Sequence, residues 1–221
     1  MTSPRPAMSL LLATNNRGKL AEVRAMLADL PVEVLSWAAV LPSLPPVVED
    51  GETLEDNALL KARAGAGAAV MLTLADDSGL EVDALGGRPG VRSARFAGEG
   101  ATDVENNAAL LAALDHVEGA ERRARFRCVL VLVDPWSDAP PVVTSGACEG
   151  TIGRSASGSG GFGYDPIFEV AGLGRTMAEL EDDEKNRVSH RSRALAAMRP
   201  VLRARIEDRL AEAARAFEGG A

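Results

Sequence analysis

Two adjacent carboxylates, Asp76 and Asp77, follow a short apolar run over residues 70–75 and precede Ser78 and Gly79. An apolar run of that length bounded by turn formers predicts a buried strand. Its end would carry both aspartates into a loop just outside a sheet, where open α/β proteins place ligands. Neighbouring strand residues face opposite ways, so one aspartate can face a cleft while the other braces it. Carboxylates this close repel unless a cation or a shared proton offsets the charge. A hard, oxygen-seeking ion such as Mg²⁺ serves that purpose. Taken alone, the stretch reads better as a solvated acidic turn; the rest of the chain reverses that reading.

A second polar cluster, Thr14-Asn15-Asn16-Arg17-Gly18-Lys19, separates a short apolar strand over residues 9–13 from Leu20, Val23, Met26, Leu27 and Leu30 at helical spacing. Strand, turn and helix bring backbone amides together where the helix dipole favours an anion. The pattern of a standard P-loop is absent, and an ordinary Asn-capped helix fits the same residues. A third cluster runs from Lys185 to Arg191, with His190, into the last helix, for which Ser189 is an expected N-cap. Glu49 lies in an acidic turn. Phe162 stands among glycines, so its ring face has room to stack on a base. The literal Gly-x-Gly-x-x-Gly formed by Gly158, Gly160 and Gly163 is not a dinucleotide fingerprint. No clear strand precedes it, and Tyr164-Asp165-Pro166 follows where a helix would start.

The cations carry a further hint. Of 24 Lys and Arg residues only Lys19, Lys61 and Lys185 are lysine. A lysine is a compact point charge where arginine is a planar fork, so these three could be kept for contact with phosphate oxygens; three is a small sample, and chance is the alternative.

These groups need elements to hold them. Residues 32–37 read as a strand and residues 42–46 as a loop. Thr53 with Asp56 resembles the start of a helix over residues 54–69, with Asn57 and Lys61 on one face. Thr102 with Glu105 forms a capping box for a helix over residues 103–114. Residues 125–133 give the strongest strand signal, and residues 142–147 return as a hairpin partner that residues 149–153 extend. Residues 177–180 read as a helical turn and residues 181–184 as a solvated acidic run. Pro200 is expected to kink or end the last helix, with an apolar stripe from Leu202 to Phe217 beyond it.

The 221 residues are 46% hydrophobic and 25% charged, ordinary values for a globular protein with a sizeable core. A net charge of −8 opposes polymeric nucleic acid and anionic membrane as partners. A small anionic ligand needs only a few local cations. No segment is long and apolar enough to span a membrane. Residues 1–8 read as a short disordered leader rather than a signal peptide, with Met8 a possible second start. Cys128 and Cys148 lie in apolar segments and read as buried free thiols, with the cytoplasm as the default location. No linker divides the chain into domains.

A metal site, two anion sites and a stacking ring together describe a pocket for a nucleoside polyphosphate. Six stretches then match one known pattern in order: Ala13-Thr-Asn-Asn-Arg-Gly-Lys19, Ala75-Asp-Asp-Ser-Gly-Leu80, Gly86-Gly-x-Pro-Gly90, Ser93-Ala-Arg-Phe96, Gly161-Phe-Gly-Tyr-Asp-Pro166 and Ser189-His-Arg191. The chain resembles the inosine triphosphate pyrophosphatase family, also described as dITP/XTP pyrophosphatases. It departs from that pattern at Leu54, where the family often has Phe, and in a tail beyond about residue 200 that is longer than the family's.

The resemblance implies an α/β fold: an elongated mixed sheet with flanking helices, two lobes around a central cleft, and a homodimer. It implies hydrolysis of deaminated purine nucleoside triphosphates to the monophosphate and pyrophosphate. Mg²⁺ is expected on Glu49 and Asp77, with Asp76 bracing or sharing it, and Asp77 as proton acceptor for the attacking water. Thr14, Asn15, Asn16, Arg17, Gly18, Lys19, Lys61 and Lys185 would neutralise phosphate charge, and Ser78 belongs to the same substrate site. Phe162, Gly163 and Tyr164 would form the stacking segment, with Asp165, His190 and Arg191 reading the purine edge. Donors there favour the 6-oxygen of inosine and xanthosine over the amine of adenosine. Two other readings stay open: a different nucleotide hydrolase, such as the Maf-type pyrophosphatases acting on pyrimidine or modified nucleotides, and a non-catalytic nucleotide-binding regulator.

Overall fold

A computed structural model describes residues 8–45 and 47–218. The chain runs β1 (Met8–Leu12), α1 (Arg17–Met26), β2 (Val32–Ser36), α2 (Trp37–Val40), α3 (Leu54–Ala69), β3 (Thr73–Val82), α4 (Asp103–Ala113), β4 (Arg123–Val133), β5 (Val142–Ile152), β6 (Phe168–Val170), α5 (Asp182–Val188) and α6 (His190–Glu218). One mixed sheet takes the order β2-β1-β3-β4-β5-β6. β1 lies parallel to β2 and β3, and the remaining pairs are antiparallel. The expected α/β fold with flanking helices is thus observed.

Parity along β3 explains the layout. Leu72 and Leu74 enter one apolar cluster with Leu10, Leu12, Leu130 and residues of α1 and α6. Leu80 and Val82, on the same face by alternation, enter a second with Phe126, Ile152, Leu110, Leu114 and Phe168. Asp76 and Ser78 fall in the gap between these cores. On the opposite face Ala75 packs with Val129, Val131 and the α3 residues Ala58 and Ala62. β1 pairs with β3 only at Leu11↔Thr73 and Leu12↔Leu74. Between Leu74 and Glu81, where Pro89 bridges the strand, β3 therefore presents an edge on that side, and residues from both of its faces can reach one cleft.

Several local expectations change. Asp76 and Asp77 lie mid-strand, opposite Leu130 and Val129, rather than in a loop. Ser78-Gly79 does not end the strand because the ladder to the apolar β4 overrides local turn preference. Gly79 is needed there for another reason: a Cβ on it would stand 2.3 Å from the Gly90 carbonyl oxygen. The strand starts at Thr73, since Val70 takes a left-handed conformation that caps α3. Trp37 opens α2 instead of closing β2, and Ser36 accepts the Ala39 amide as its cap. Lys185 sits within a helix of its own, α5, whose capping box uses Glu181 and Glu184 from the run read as merely solvated. α6 continues through Pro200 to Glu218, because Ala194, Leu195, Met198, Leu202 and Ile206 all pack on the sheet. Past residue 200 it is also clasped by Arg209, which donates to Asp134 at 2.7 Å with its guanidinium 5.3 Å from the Trp136 ring. Of the expected leader, residues 1–7 lie outside the described residues, and Met8 begins β1.

Candidate active site

A cavity of ≈ 500 Å³ opens along the free edge of β3. Lys19, Lys61 and Lys185, the chain's three lysines, all line it. So do Thr14, Asn15, Asn16, Glu49, Asp77, Ser78, Phe162, Gly163, Tyr164, Asp165, His190 and Arg191. The cluster at the start of α1 is built as its sequence implies: Asn16 caps the helix by accepting the Lys19 amide at 3.0 Å. Asn15 accepts the Ala38 amide at 3.1 Å, tying the turn to α2. An anion seated there would meet the remaining first-turn amides.

The two aspartates do different work. Asp77 accepts from Lys61 Nζ at 2.7 Å and from Asn57 Nδ2 at 3.4 Å, and Lys61 also reaches Glu49 Oε2 at 3.2 Å. The ammonium thus lies between two carboxylates. Burial pushes the Asp77 carboxyl up to about 6, against the pull of Lys61 and Lys19, with the Glu49 charge adding to the rise. Burial also opposes ionisation of Glu49, but the Lys61 charge, hydrogen bonding to Asp77 and Lys61 and the Lys19 charge together outweigh it and lower its pKa. Lys61 is raised despite burial because two carboxylates face it. Asp77 has only part of one shared ammonium in return, so the two ends of the pair differ.

Asp76 is fully buried and lies outside the cavity lining. Its Oδ1 accepts from Lys19 Nζ and from Ser78 Oγ; its Oδ2 accepts from Arg191 Nε at 2.7 Å and from the Cys128 thiol at 3.2 Å. Burial alone would raise this carboxyl, but the Arg191 and Lys19 charges hold it well below the usual range. With four donors on two oxygens, its geometry is that of a brace.

Arg191 is held from its other side by Glu22, which also accepts from Lys185 at 2.8 Å. Asp165 accepts from Lys185 at 2.7 Å and from the Phe162 amide at 2.9 Å, and burial raises its carboxyl against the pull of Lys185. The Lys185 ammonium lies 4.8 Å from the centre of the Phe162 ring. That ring rests on α1 at Gly18, where a Cβ would come within 2.5 Å of it. His190 stacks on Phe126 with ring centres 4.8 Å apart. Burial first, then the Arg191 charge, push it well below its usual pKa, so it is neutral. Tyr164 is core-packed, and its hydroxyl donates to the Ser93 carbonyl at 2.8 Å.

Most of the sequence candidates converge, with three exceptions. Arg17 is exposed and lies outside the lining; Gly18 serves by leaving room for Phe162; Asp76 acts through Lys19 and Arg191. Residues the sequence did not single out also matter. Glu22 follows Lys19 by one helical turn, a spacing that could have exposed it. Ser93 and Arg95, matched as part of a motif but given no role, line the cavity, as do Asp103, Asn106 and Phe126, which carry no local signal of chemistry. Cys128 is the buried free thiol expected, and it also donates to Asp76.

The donor set fits a hard divalent cation. Glu49 and Asp77 offer carboxylate oxygens beside an open cavity, and their charge is at present offset by an ammonium, the position a cation would compete for. Among the described residues no group of three or more His, Cys, Asp or Glu side chains is arranged to hold a metal. The pair would therefore need substrate oxygens or water to complete its coordination.

A sequence model of the Ham1 family matches residues 10–201. The chain is 48% identical over 195 residues to the dITP/XTP pyrophosphatase of Methylococcus capsulatus, covering 88% of this chain and 96% of that protein. It is 50% identical over 193 residues to the dITP/XTP pyrophosphatase of Geobacter sulfurreducens, covering 87% and 96%. The fold is similar to the structure of a HAM1 protein from Coxiella burnetii, with a TM-score of 0.79 and 42% identity over 88% of this chain and 98% of that one. It is also similar to a dITP/XTP pyrophosphatase from Mycobacterium abscessus, with a TM-score of 0.69 and 46% identity over 86% and 98%. With matches of this extent along its length, and the cavity residues falling inside them, the chain belongs to the Ham1 family.

Proposed function

We propose that the protein hydrolyses deaminated purine nucleoside triphosphates, dITP, ITP and XTP, to the monophosphate and pyrophosphate with Mg²⁺. One observation carries the reading: every lysine of the chain, the Glu49–Asp77 pair and the Phe162 ring line a single cavity. The names of the relatives support the substrate class. Glu49 and Asp77 would hold Mg²⁺, which when bound polarises the phosphate and lowers the pKa of coordinated water.

The chain's own residues do the rest. Lys19, Lys61 and the amides at the start of α1 stabilise charge on the phosphates, and phosphoryl chemistry is accelerated mainly by such electrostatic stabilisation together with positioning. Asp77, with its pKa near 6, is ionised at neutral pH yet basic enough to take a proton from water aimed at the α-phosphorus. Asp76 holds Lys19 and Arg191 in place. Phe162 stacks on the purine, while Lys185 and Arg191 present donors to its 6-oxygen and leave an adenine amine facing like with like. Neutral His190 offers one donor and one acceptor to the same edge. We further place the protein in the cytoplasm, consistent with two free buried cysteines, and as a homodimer, which sedimentation would check.

The deciding experiment is a panel of triphosphates assayed with Mg²⁺ for pyrophosphate release. ITP, dITP and XTP turn over well ahead of ATP, GTP, UTP and dTTP. Faster turnover of UTP or dTTP would favour the Maf-type reading, orthophosphate release a different reaction, and binding without turnover a regulator. A second measurement addresses the stacking ring. Phe162→Ala raises the KM for ITP about 5- to 100-fold, the value of one base–aromatic stack; an unchanged KM removes Phe162 from the base site.

A further inference from the structure

We propose that Arg95 is a positioning residue: it latches the segment carrying Glu49 to a rigid turn and so sets where that carboxylate stands opposite Asp77. The inference rests on the assignment of Glu49 and Asp77 as cation ligands made above. Residues 47–51 form neither helix nor strand, so nothing regular holds them at the cavity mouth. Side chains from elsewhere do this instead. The Gly51 amide donates to Asn57 Oδ1 at 2.8 Å, and the Glu49 carbonyl accepts from Arg95 Nη2 at 3.2 Å. The Lys61 contact to Glu49 lies on the carboxylate itself and competes with any cation placed there. Arg95 is thus the side chain that fixes the Glu49 backbone while leaving its carboxylate available.

The anchor at the other end is firm. Arg95 closes a short 3₁₀ segment, Gly90–Arg95. Within it Ser93 Oγ accepts the Leu80 amide at 2.8 Å, which ties the turn to β3 three residues beyond Asp77. Tyr164 donates to the Ser93 carbonyl, and Asn106 donates to the Ala94 carbonyl at 3.2 Å. β3, α4 and the segment bearing Phe162 therefore converge on the turn from which Arg95 reaches out. Through it the position of Glu49 is referred to the same strand that carries Asp77. This gives a role to a motif residue, Arg95, that neither the anion sites nor the carboxylate pair uses.

A latch and a simple charge predict opposite signs. As a nearby cation Arg95 would repel a metal ion, so its removal would tighten metal binding. As a latch its removal frees Glu49 and weakens binding. The test follows Mn²⁺ binding to the full-length protein by the paramagnetic signal of the free ion, with no nucleotide present. Arg95→Met raises the Mn²⁺ dissociation constant about tenfold, the value of one charge-assisted hydrogen bond, with an unchanged melting temperature. Binding as tight as the parent's or tighter overturns the proposal. Should Arg95→Met melt lower, Arg95→Lys decides, since it keeps the charge and loses the reach: weaker binding supports the latch, and parental binding overturns it. A parent that binds no Mn²⁺ overturns the cation-site assignment itself, a result distinct from any difference between parent and variant.

Discussion

Asp77→Asn lowers kcat by about 10²–10⁴-fold, the range for loss of a general base, while the protein still folds and binds ITP. The substitution keeps the shape and the Asn57 contact but can neither take a proton nor supply a carboxylate to a cation. Parental turnover by a folded, ITP-binding variant would end Asp77's role. The pH dependence follows from the same group. With the Asp77 carboxyl near 6 in the free protein, kcat/KM at low Mg²⁺ falls tenfold per pH unit below about 6. A bound cation favours the charged form, so raising Mg²⁺ moves this limb to lower pH. Stability runs the other way. A carboxyl whose pKa rises on folding contributes stability at low pH that is lost as pH climbs from its unfolded value of 3.8 through about 6. Asp77→Asn lacks that loss, although it also removes a counter-ion of the buried Lys61; the melting temperature of the parent relative to the variant therefore falls from pH 5 to pH 7, a comparison that thermal melts at the two pH values make directly.

Asp76→Ala has the largest expected effect on folding, and it separates the two aspartates. Its carboxylate is fully buried and offsets Lys19 and the almost fully buried Arg191. Removing one partner of such a cluster leaves charge in the interior without its counter-ion, a loss of about 3–5 kcal/mol, or a fall in melting temperature on the order of 10 °C. The sign with pH is again fixed by direction. Asp76 is held below the ordinary carboxylate range, so its contribution is present at neutral pH and lost as pH falls through its folded value. The gap between parent and variant therefore narrows in strong acid. An Asp76→Ala protein as stable as the parent would show that Glu22 alone suffices for Arg191, and that Asp76 does not brace the site.

Together these substitutions explain why the pair is adjacent. Alternation along β3 sends Asp76 toward α1 and α6 and Asp77 toward α3, so one strand both fixes the cations and faces the cleft. The three lysines divide likewise: Lys19 pairs with Asp76, Lys61 with Asp77 and Glu49, and Lys185 with Asp165 and Glu22. In each case a buried or partly buried ammonium is already matched by carboxylate. A triphosphate entering the cavity would exchange these partners rather than fill a bare positive hole, which keeps the empty site from repelling itself.

Much of this was legible before any fold was known. The caps at Asn16, Thr53 and Thr102, the hairpin of β4 and β5, and the helical spacing of α1, α3 and α4 are local properties, set within a few residues by hydrogen-bonding and packing rules. The chemistry-bearing types were legible too, because six short stretches carry them in order. What the sequence did not hold was which groups meet. Glu22 and Arg191 are 169 residues apart, and Lys19 and Asp76 are 57 apart; no spacing rule reaches that far. Local turn preference at Ser78-Gly79 pointed to a strand end, yet ten registered pairs with β4 keep β3 running. The amino-acid order by itself thus determined most of the elements and the inventory of charged and aromatic groups, since those depend on neighbours along the chain. Only the tertiary structure decided that Asp76 braces while Asp77 faces the cleft, and that Arg95 reaches Glu49, because burial, partner and edge exposure are properties of packing across strands.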